Sequence, residues 1–168
     1  MKYYIKDING CANIVFEVYV LNNQIRYMSI QKSPSENENR AIVVVDAEKF
    51  LELWKKEPNS IHYEISHGNP ETWRKDKKYP YAESDFSQGE NSPVLLAEVS
   101  FSSSTPAHIG FTDGITKTIW LLSNGCREFP VECMLSYACG LYKAAGAEGT
   151  CLNTVDGILK SSGKHGCL

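Results

Sequence analysis

The sequence predicts a single-domain protein of the α/β or α+β class, with a mixed β-sheet and helices packed on it. Three observations lead to this prediction. The first third of the chain is rich in β-branched and aromatic residues, as strands are. Two later segments each combine a strand with an amphipathic helix. The 168 residues, 42% of them hydrophobic and 22% charged, suit one globular domain.

The N-terminal part predicts a β-hairpin. Residues 13–20 are β-branched and aromatic, residues 25–30 alternate in polarity, and Asn22 and Asn23 between them favour a turn. The polar residues 32–40 predict the loop that follows.

A strand and a capped helix come next. The continuous apolar run 41–45 predicts a buried strand. Asp46 is a favourable N-cap residue, Phe50 and Trp54 lie on one helical face, and Pro58 is predicted to end that helix.

The segment 93–146 predicts the most regular part of the fold. Pro130 suggests an edge position or a strand start, because proline has no N–H to donate. The predicted elements, in order, are strands over 94–101 and 108–111, a turn at 112–114, a helix over 115–124 ended by Gly125, a strand over 126–133 and a helix over 134–146.

The domain is predicted to span residues 1–150, followed by a Gly- and Ser-containing tail over 151–168 in which only residues 154–159 are amphipathic enough to dock. No segment has the pattern of a signal peptide or a membrane span, so a cytoplasmic location is expected. The six cysteines match no zinc-site spacing and predict reduced thiols, with Cys151 and Cys167 the most exposed.

The charge pattern bears on partners. With 17 Lys and Arg against 20 Asp and Glu, the formal net charge is -3. This charge favours a protein as the partner over a nucleic acid, although a local basic patch leaves nucleic-acid binding possible. A partner surface is predicted at residues 73–81, and two interpretations are open: the aromatic and basic side chains form a binding surface, or the aromatics fasten an elaborated loop to the domain. The surface residues are Trp73, Arg74, Lys75, Lys77, Lys78, Tyr79 and Tyr81.

The turn Thr112-Asp113-Gly114 is the strongest candidate for chemistry. Its glycine allows a close approach to a ligand, and the first N–H groups of the following helix would point at an anion, with Thr116 and Lys117 in the first helical turn. The other interpretation is a simple helix-capping turn in which Thr112 or Asp113 is the cap.

A resemblance to a known family lies in residues 94–132. These residues resemble the core of the ParB/sulfiredoxin-like fold and, within it, the plasmid fertility inhibition factors most closely. The resemblance is carried by Phe111-Thr112-Asp113-Gly114, by the apolar helix that ends at Asn124-Gly125, and by Pro130-Val131.

The departures from the family pattern matter as much. In this fold the turn Gly-x-x-Arg binds the phosphates of ATP or CTP, so the resemblance implies one of these nucleotides with Mg²⁺ as a cofactor. Here Lys117 replaces the arginine, Thr116 replaces the histidine, and Ile115 stands where sulfiredoxins have their cysteine. Glu98 matches an acidic position of the family that could orient a metal or a base, or is a solvated side chain.

Three functions follow as hypotheses. The first is a bacterial inhibitor that binds a protein of the DNA-transfer machinery and whose nucleotide-binding turn is degenerate, with no catalytic residues and no metal site. The second is an immunity protein that neutralises a toxin. The third is an ATPase or nuclease that uses Gly114, Thr116, Lys117 and Glu98. The missing histidine and arginine favour the inhibitor.

Overall fold

A computed structural model describes residues 1–33, 38–58, 60–161 and 166–167. These residues form two five-stranded mixed sheets with helices packed on them. The predicted class is confirmed, although the strands divide between two sheets and not one. The strands are β1 (Lys2–Ile8), β2 (Cys11–Val20), β3 (Gln24–Gln31), β4 (Arg40–Asp46), β5 (Val94–Leu95), β6 (Ala97–Ser102), β7 (His108–Asp113), β8 (Glu128–Met134), β9 (Asn153–Thr154) and β10 (Gly166–Cys167). The helices are α1 (Ala47–Trp54), α2 (Tyr63–Ser66), α3 (Pro70–Trp73), α4 (Tyr79–Ser87), α5 (Ile115–Ser123), α6 (Leu135–Ala145) and α7 (Val155–Lys160).

The first sheet has the strand order β10-β1-β2-β3-β5. The predicted hairpin is confirmed, because β2 pairs antiparallel with β3 from Asn13 opposite Gln31 to Val20 opposite Gln24. Asn22 closes the turn with a φ of 60°, a left-handed conformation that asparagine tolerates better than most residues. At the far edge, β5 joins β3 in parallel.

The second sheet has the strand order β7-β6-β8-β4-β9. The edge position suggested by Pro130 is wrong, because β8 lies between β6 and β4. Pro130 is opposite Val44 of β4, and the parallel bridges from β8 to β6 begin only at Val131. The missing N–H of Pro130 therefore precedes the ladder with β6, which is how the sheet accommodates a proline in an inner strand.

The core lies between the two sheets and beneath α1 and α6, which pack on the second sheet. Asp46 caps α1 as predicted, since its carboxylate accepts hydrogen bonds from the N–H groups of Glu48 and Lys49 at 3.1 and 2.9 Å. Phe50 then makes edge-to-face contacts with Phe111 and Phe129, with ring centroids 5.8 and 5.3 Å apart. The longest helix in the described residues, α6, has 11 residues, fewer than a helix needs to cross a bilayer.

The segment 55–92, which includes the predicted surface at residues 73–81, is helical in large part. It contains α2, α3 and α4, and the last two pack against α5. Trp73 is 4% exposed and donates from Nε1 to the Ile65 carbonyl at 2.7 Å, while Tyr79 is 6% exposed and accepts from Asn124 at 3.1 Å. The prediction of Trp73 and Tyr79 as surface residues is therefore wrong, because these rings fasten the segment to the domain.

Residues beyond 150 also pack on the sheets. Thr154 caps α7, and Val155 and Ile158 are buried. The two-residue strand β10 extends the first sheet beside β1. Residues 162–165 and 168, and the side chain of Cys167, lie outside the part of the chain that the structure describes. Of the described cysteines, Cys151 is exposed, but so are Cys11 and Cys139, which the sequence did not single out, and none forms a disulfide.

A buried ion pair holds the two ends of the loop before β4. The Arg40 guanidinium bonds the Glu38 carboxylate at 2.9 and 2.8 Å and Glu132 at 2.8 Å, and the Glu38 side chain is 1% exposed. The N–H of Ser33 also donates to Glu38, at 2.8 Å. Hydrogen bonds from Arg40 lower the pKa of the Glu38 carboxyl from 4.5 to about 2.

We predict that Glu38→Gln lowers the free energy of unfolding by about 2–3 kcal/mol near neutral pH. Because the pKa of Glu38 is lower in the folded protein, its stabilisation is complete above the unfolded value of 4.5 and is lost as the pH falls towards about 2. Urea unfolding should therefore show that the difference in the free energy of unfolding between wild type and variant becomes smaller as the pH falls below 4.5. Glu71→Gln, which removes an exposed ion pair with Lys75, is the control and should change little.

Candidate functional site

An open cleft of about 810 Å³ lies between α4 and the turn that joins β7 to α5. Lys77, Lys78 and Tyr81 line one wall, and the turn with the first residues of α5 lines the other. Leu95 of β5 lies at the edge between them. The cleft therefore brings together residues from both predicted sites, which are separated by some thirty residues of sequence.

Gly114 begins α5 with a left-handed φ of 102°. A Cβ at this position would lie 2.6 Å from the Ala97 Cβ and 2.7 Å from its Cα. The close approach to β6 therefore by itself requires glycine at this position. The capping role predicted for Thr112 or Asp113 is wrong, because neither side chain caps α5. In the described part of the chain, no side chain accepts from the first N–H groups of α5, which lie beside the cleft.

Lys117 does not present a free ammonium to the cleft. Its Nζ donates to the carbonyl oxygens of Leu95 and Leu96 at 3.0 and 3.1 Å and to the Asp113 carboxylate at 3.3 Å. An ammonium has three N–H donors, so these contacts use all of them. The side chain is 15% exposed, whereas that of Asp113 is 76% exposed. The cation that replaces the family's arginine is therefore committed to the protein's own backbone.

Glu98 lies in a row of carboxylates outside the cleft lining. It is exposed and pairs with Asp113 on β7 and with Glu132 on β8. Burial raises the pKa of the Glu132 carboxyl, and the Arg40 hydrogen bond opposes that effect. Over the described residues, no three His, Cys, Asp or Glu side chains come close enough to hold a metal ion. Glu98 thus lies opposite Asp113, a residue of the turn, although it is outside the lining of the cleft.

The remaining predicted surface residues differ in role. Lys77 and Lys78 are exposed, and neither ammonium has an ion-pair or hydrogen-bond partner among the described residues. Tyr81 is 71% exposed. Lys75 instead pairs with Glu71 at 2.7 Å, and Arg74 donates to the Ser123 carbonyl at 2.7 Å, so neither lines the cleft.

The cleft also contains residues that the sequence pattern did not assign to a site. His62 and Ile65 come from the region of α2, Asp85 from α4, and Val94 and Leu95 from β5. Each has a common residue type in an unremarkable local pattern. Only the packing of α4 against α5 brings them to one place.

Comparisons with known proteins agree with the resemblance found in residues 94–132. The family model described as "Plasmid Fertility inhibition factor" matches residues 42–146. A relative named "Protein osa", from Shigella flexneri, is 31% identical over 127 residues, which are 73% of this chain and 63% of that protein. The chain thus matches less than two thirds of that relative's length.

A solved structure is also similar. It is the gold(I) cyanide derivative of the Oncogenic Suppression Activity Protein, described as a plasmid fertility inhibition factor. The two structures superpose with a TM-score of 0.77 and are 25% identical in sequence, and the superposition covers 95% of this chain and 81% of the other.

We predict that Gly114→Ala destabilises the protein by about 3 kcal/mol, because the new methyl group meets Ala97 and the left-handed φ is strained as well. Gly149→Ala is the matched control. Its φ of 72° is also left-handed, but no atom lies within 4 Å of its Cβ, so only about 1 kcal/mol should be lost. Equal losses in urea unfolding would show that the contact with Ala97 contributes nothing.

Proposed function

The chain belongs to the plasmid fertility inhibition factor family, and we propose that it lowers conjugative DNA transfer by binding a protein of the transfer machinery at the cleft between α4 and α5. One observation carries this proposal. Among the described residues, the ammonium groups of Lys77 and Lys78 have no partner beside the cleft, and the exposed ring of Tyr81 follows them on the same wall. Tyrosine is a common anchor of protein interfaces, and ammonium groups beside it complement an acidic partner surface.

The hydrogen bonds that Lys117 makes within the protein favour a protein-binding function over nucleotide-dependent catalysis. A phosphate at the start of α5 would have to compete for an ammonium that already bonds two carbonyl groups and a carboxylate. Glu98, the acidic residue expected to orient a metal or base, lies outside the cleft lining. The turn therefore holds the fold together, and this role needs no ligand.

The proposal predicts that the chain, expressed in a donor bacterium, reduces the transfer frequency of a co-resident conjugative plasmid, and that Lys77→Glu with Lys78→Glu removes this effect. Reversing both charges would repel an acidic partner surface. The double variant Lys49→Glu with Lys143→Glu is the control, because it makes the same change of charge at exposed sites on α1 and α6. Loss of inhibition in both variants, or in neither, at equal protein levels contradicts the proposed site.

A second candidate function is nucleotide-dependent catalysis, as an ATPase or nuclease. It is favoured by the N–H groups at the start of α5, which no side chain caps and which lie beside a cleft of ligand-binding size, about 810 Å³. ATP or CTP would supply the phosphates for these groups, and Lys77 and Lys78 could neutralise them. The chain's fit to Mg²⁺ is poorer, because the carboxylates of the lining, Asp76, Asp85 and Asp113, do not form a metal-ligating group of three among the described residues.

Calorimetric titration with ATP and with CTP, each with magnesium, separates the two candidates. We expect no binding tighter than about 100 μM, because Lys117 is unavailable. Tighter binding that disappears in Lys77→Glu with Lys78→Glu, and persists in Lys49→Glu with Lys143→Glu, would favour the nucleotide-dependent function.

A further inference from the structure

The cleft has an apolar part that the turn and the lysines do not explain. Leu95 is 57% exposed and Tyr81 is 71% exposed, although both are large apolar side chains. Ile65, Val94 and Ile115 lie partly buried in the same lining. Exposed apolar groups at the mouth of a concave site are typical of a surface that receives a partner's side chain.

Charge is arranged along the wall formed by α4. Lys77 and Lys78 lie at the helix start, Tyr81 follows within the first turn, and Asp85 lies one turn further. The lysine ammonium groups have no partner among the described side chains. Asp76 lies beside them in the lining, and its carboxylate accepts from the Lys78 backbone N–H at 2.8 Å. The wall therefore offers two ammonium groups without a partner at one end and an apolar surface in the middle.

We propose that the occupant of this cleft is an acidic segment of a partner protein in which a large apolar side chain lies close to the carboxylates. The carboxylates would meet Lys77 and Lys78, and the apolar side chain would enter between Tyr81 and Leu95. The inference rests on the proposed function, since it names the chemistry of the protein that the inhibitor binds.

A peptide fits these features better than a nucleic acid strand. A strand carries a negative charge at every phosphate, and its affinity comes mainly from cations that neutralise those charges. Here the third lysine of the cleft is committed to backbone carbonyl groups. The lining also has three carboxylates, those of Asp76, Asp85 and Asp113, which would repel the phosphates of a long strand. An acidic segment with few charges can place them at the lysine end alone.

The test measures fluorescence anisotropy of a labelled peptide of about twelve residues in which aspartates alternate with leucines. The comparison probes have the same length: a peptide with serine in place of leucine, a peptide with lysine in place of aspartate, and a single-stranded oligothymidine. We expect the first peptide to bind at least about tenfold more tightly than each of the others.

Variants locate the binding. Tyr81→Ser and Leu95→Ser should each lower the affinity for the leucine-containing peptide by about tenfold. Neither change should alter the weak binding of the serine peptide. Ile61→Ser is the matched control, because Ile61 is 91% exposed but is not part of the cleft lining, and it should change affinity less than twofold. Circular dichroism of each variant checks that it is folded.

Several outcomes overturn the inference. Equal binding of the serine peptide shows that charge alone suffices, tighter binding of the oligothymidine assigns the cleft to nucleic acid, and an equal effect of Ile61→Ser places the peptide elsewhere. Failure of all peptides while the wild-type chain still inhibits plasmid transfer through Lys77 and Lys78 would reject this partner chemistry and leave the proposed function intact.

Discussion

The crossover between the two sheets is the constraint on which the cleft depends. The chain leaves the first sheet at Leu95 and enters the second at Ala97, so Leu96 alone spans the gap. Leu96 is 2% exposed, and its N–H bonds the Ser29 carbonyl of the first sheet at 2.9 Å. Lys117 holds the carbonyls of Leu95 and Leu96, and Gly114 lies against Ala97. These contacts fix the start of α5 on the crossover and so set one wall of the cleft.

Local patterns were sufficient to predict most strands and the helix after the turn. The hairpin, the strand before Asp46 and the helix after Gly114 each depend on period, turn residues or caps that lie within the segment itself. The division into two sheets could not be predicted in this way. Residues 94–101 form a continuous apolar and polar pattern, yet the strand breaks at Leu96, because β5 pairs with β3 and β6 pairs with β7 and β8. That choice depends on distant strands.

The composition of the cleft could be predicted even less well from local sequence patterns. The sequence identified the turn and the basic segment as separate candidates, and nothing local indicated that they share a cleft. The helices α2 and α3 have 4 residues each, too few for a helical period to be visible. Whether an aromatic ring fastens a segment or faces a partner also depends on packing: Trp73 and Tyr81 lie in similar basic surroundings, but one is buried and the other exposed.

The resemblance implies an arginine at the position of Lys117, and the two side chains differ in how they direct their donors. A guanidinium presents its donors in a planar fork suited to an anion, whereas an ammonium is compact and can turn its three donors towards separate acceptors. At Lys117 those acceptors are two carbonyls of the crossover and one carboxylate, so the charge stabilises the junction of the sheets. The free cations of the cleft, Lys77 and Lys78, come instead from the opposite wall.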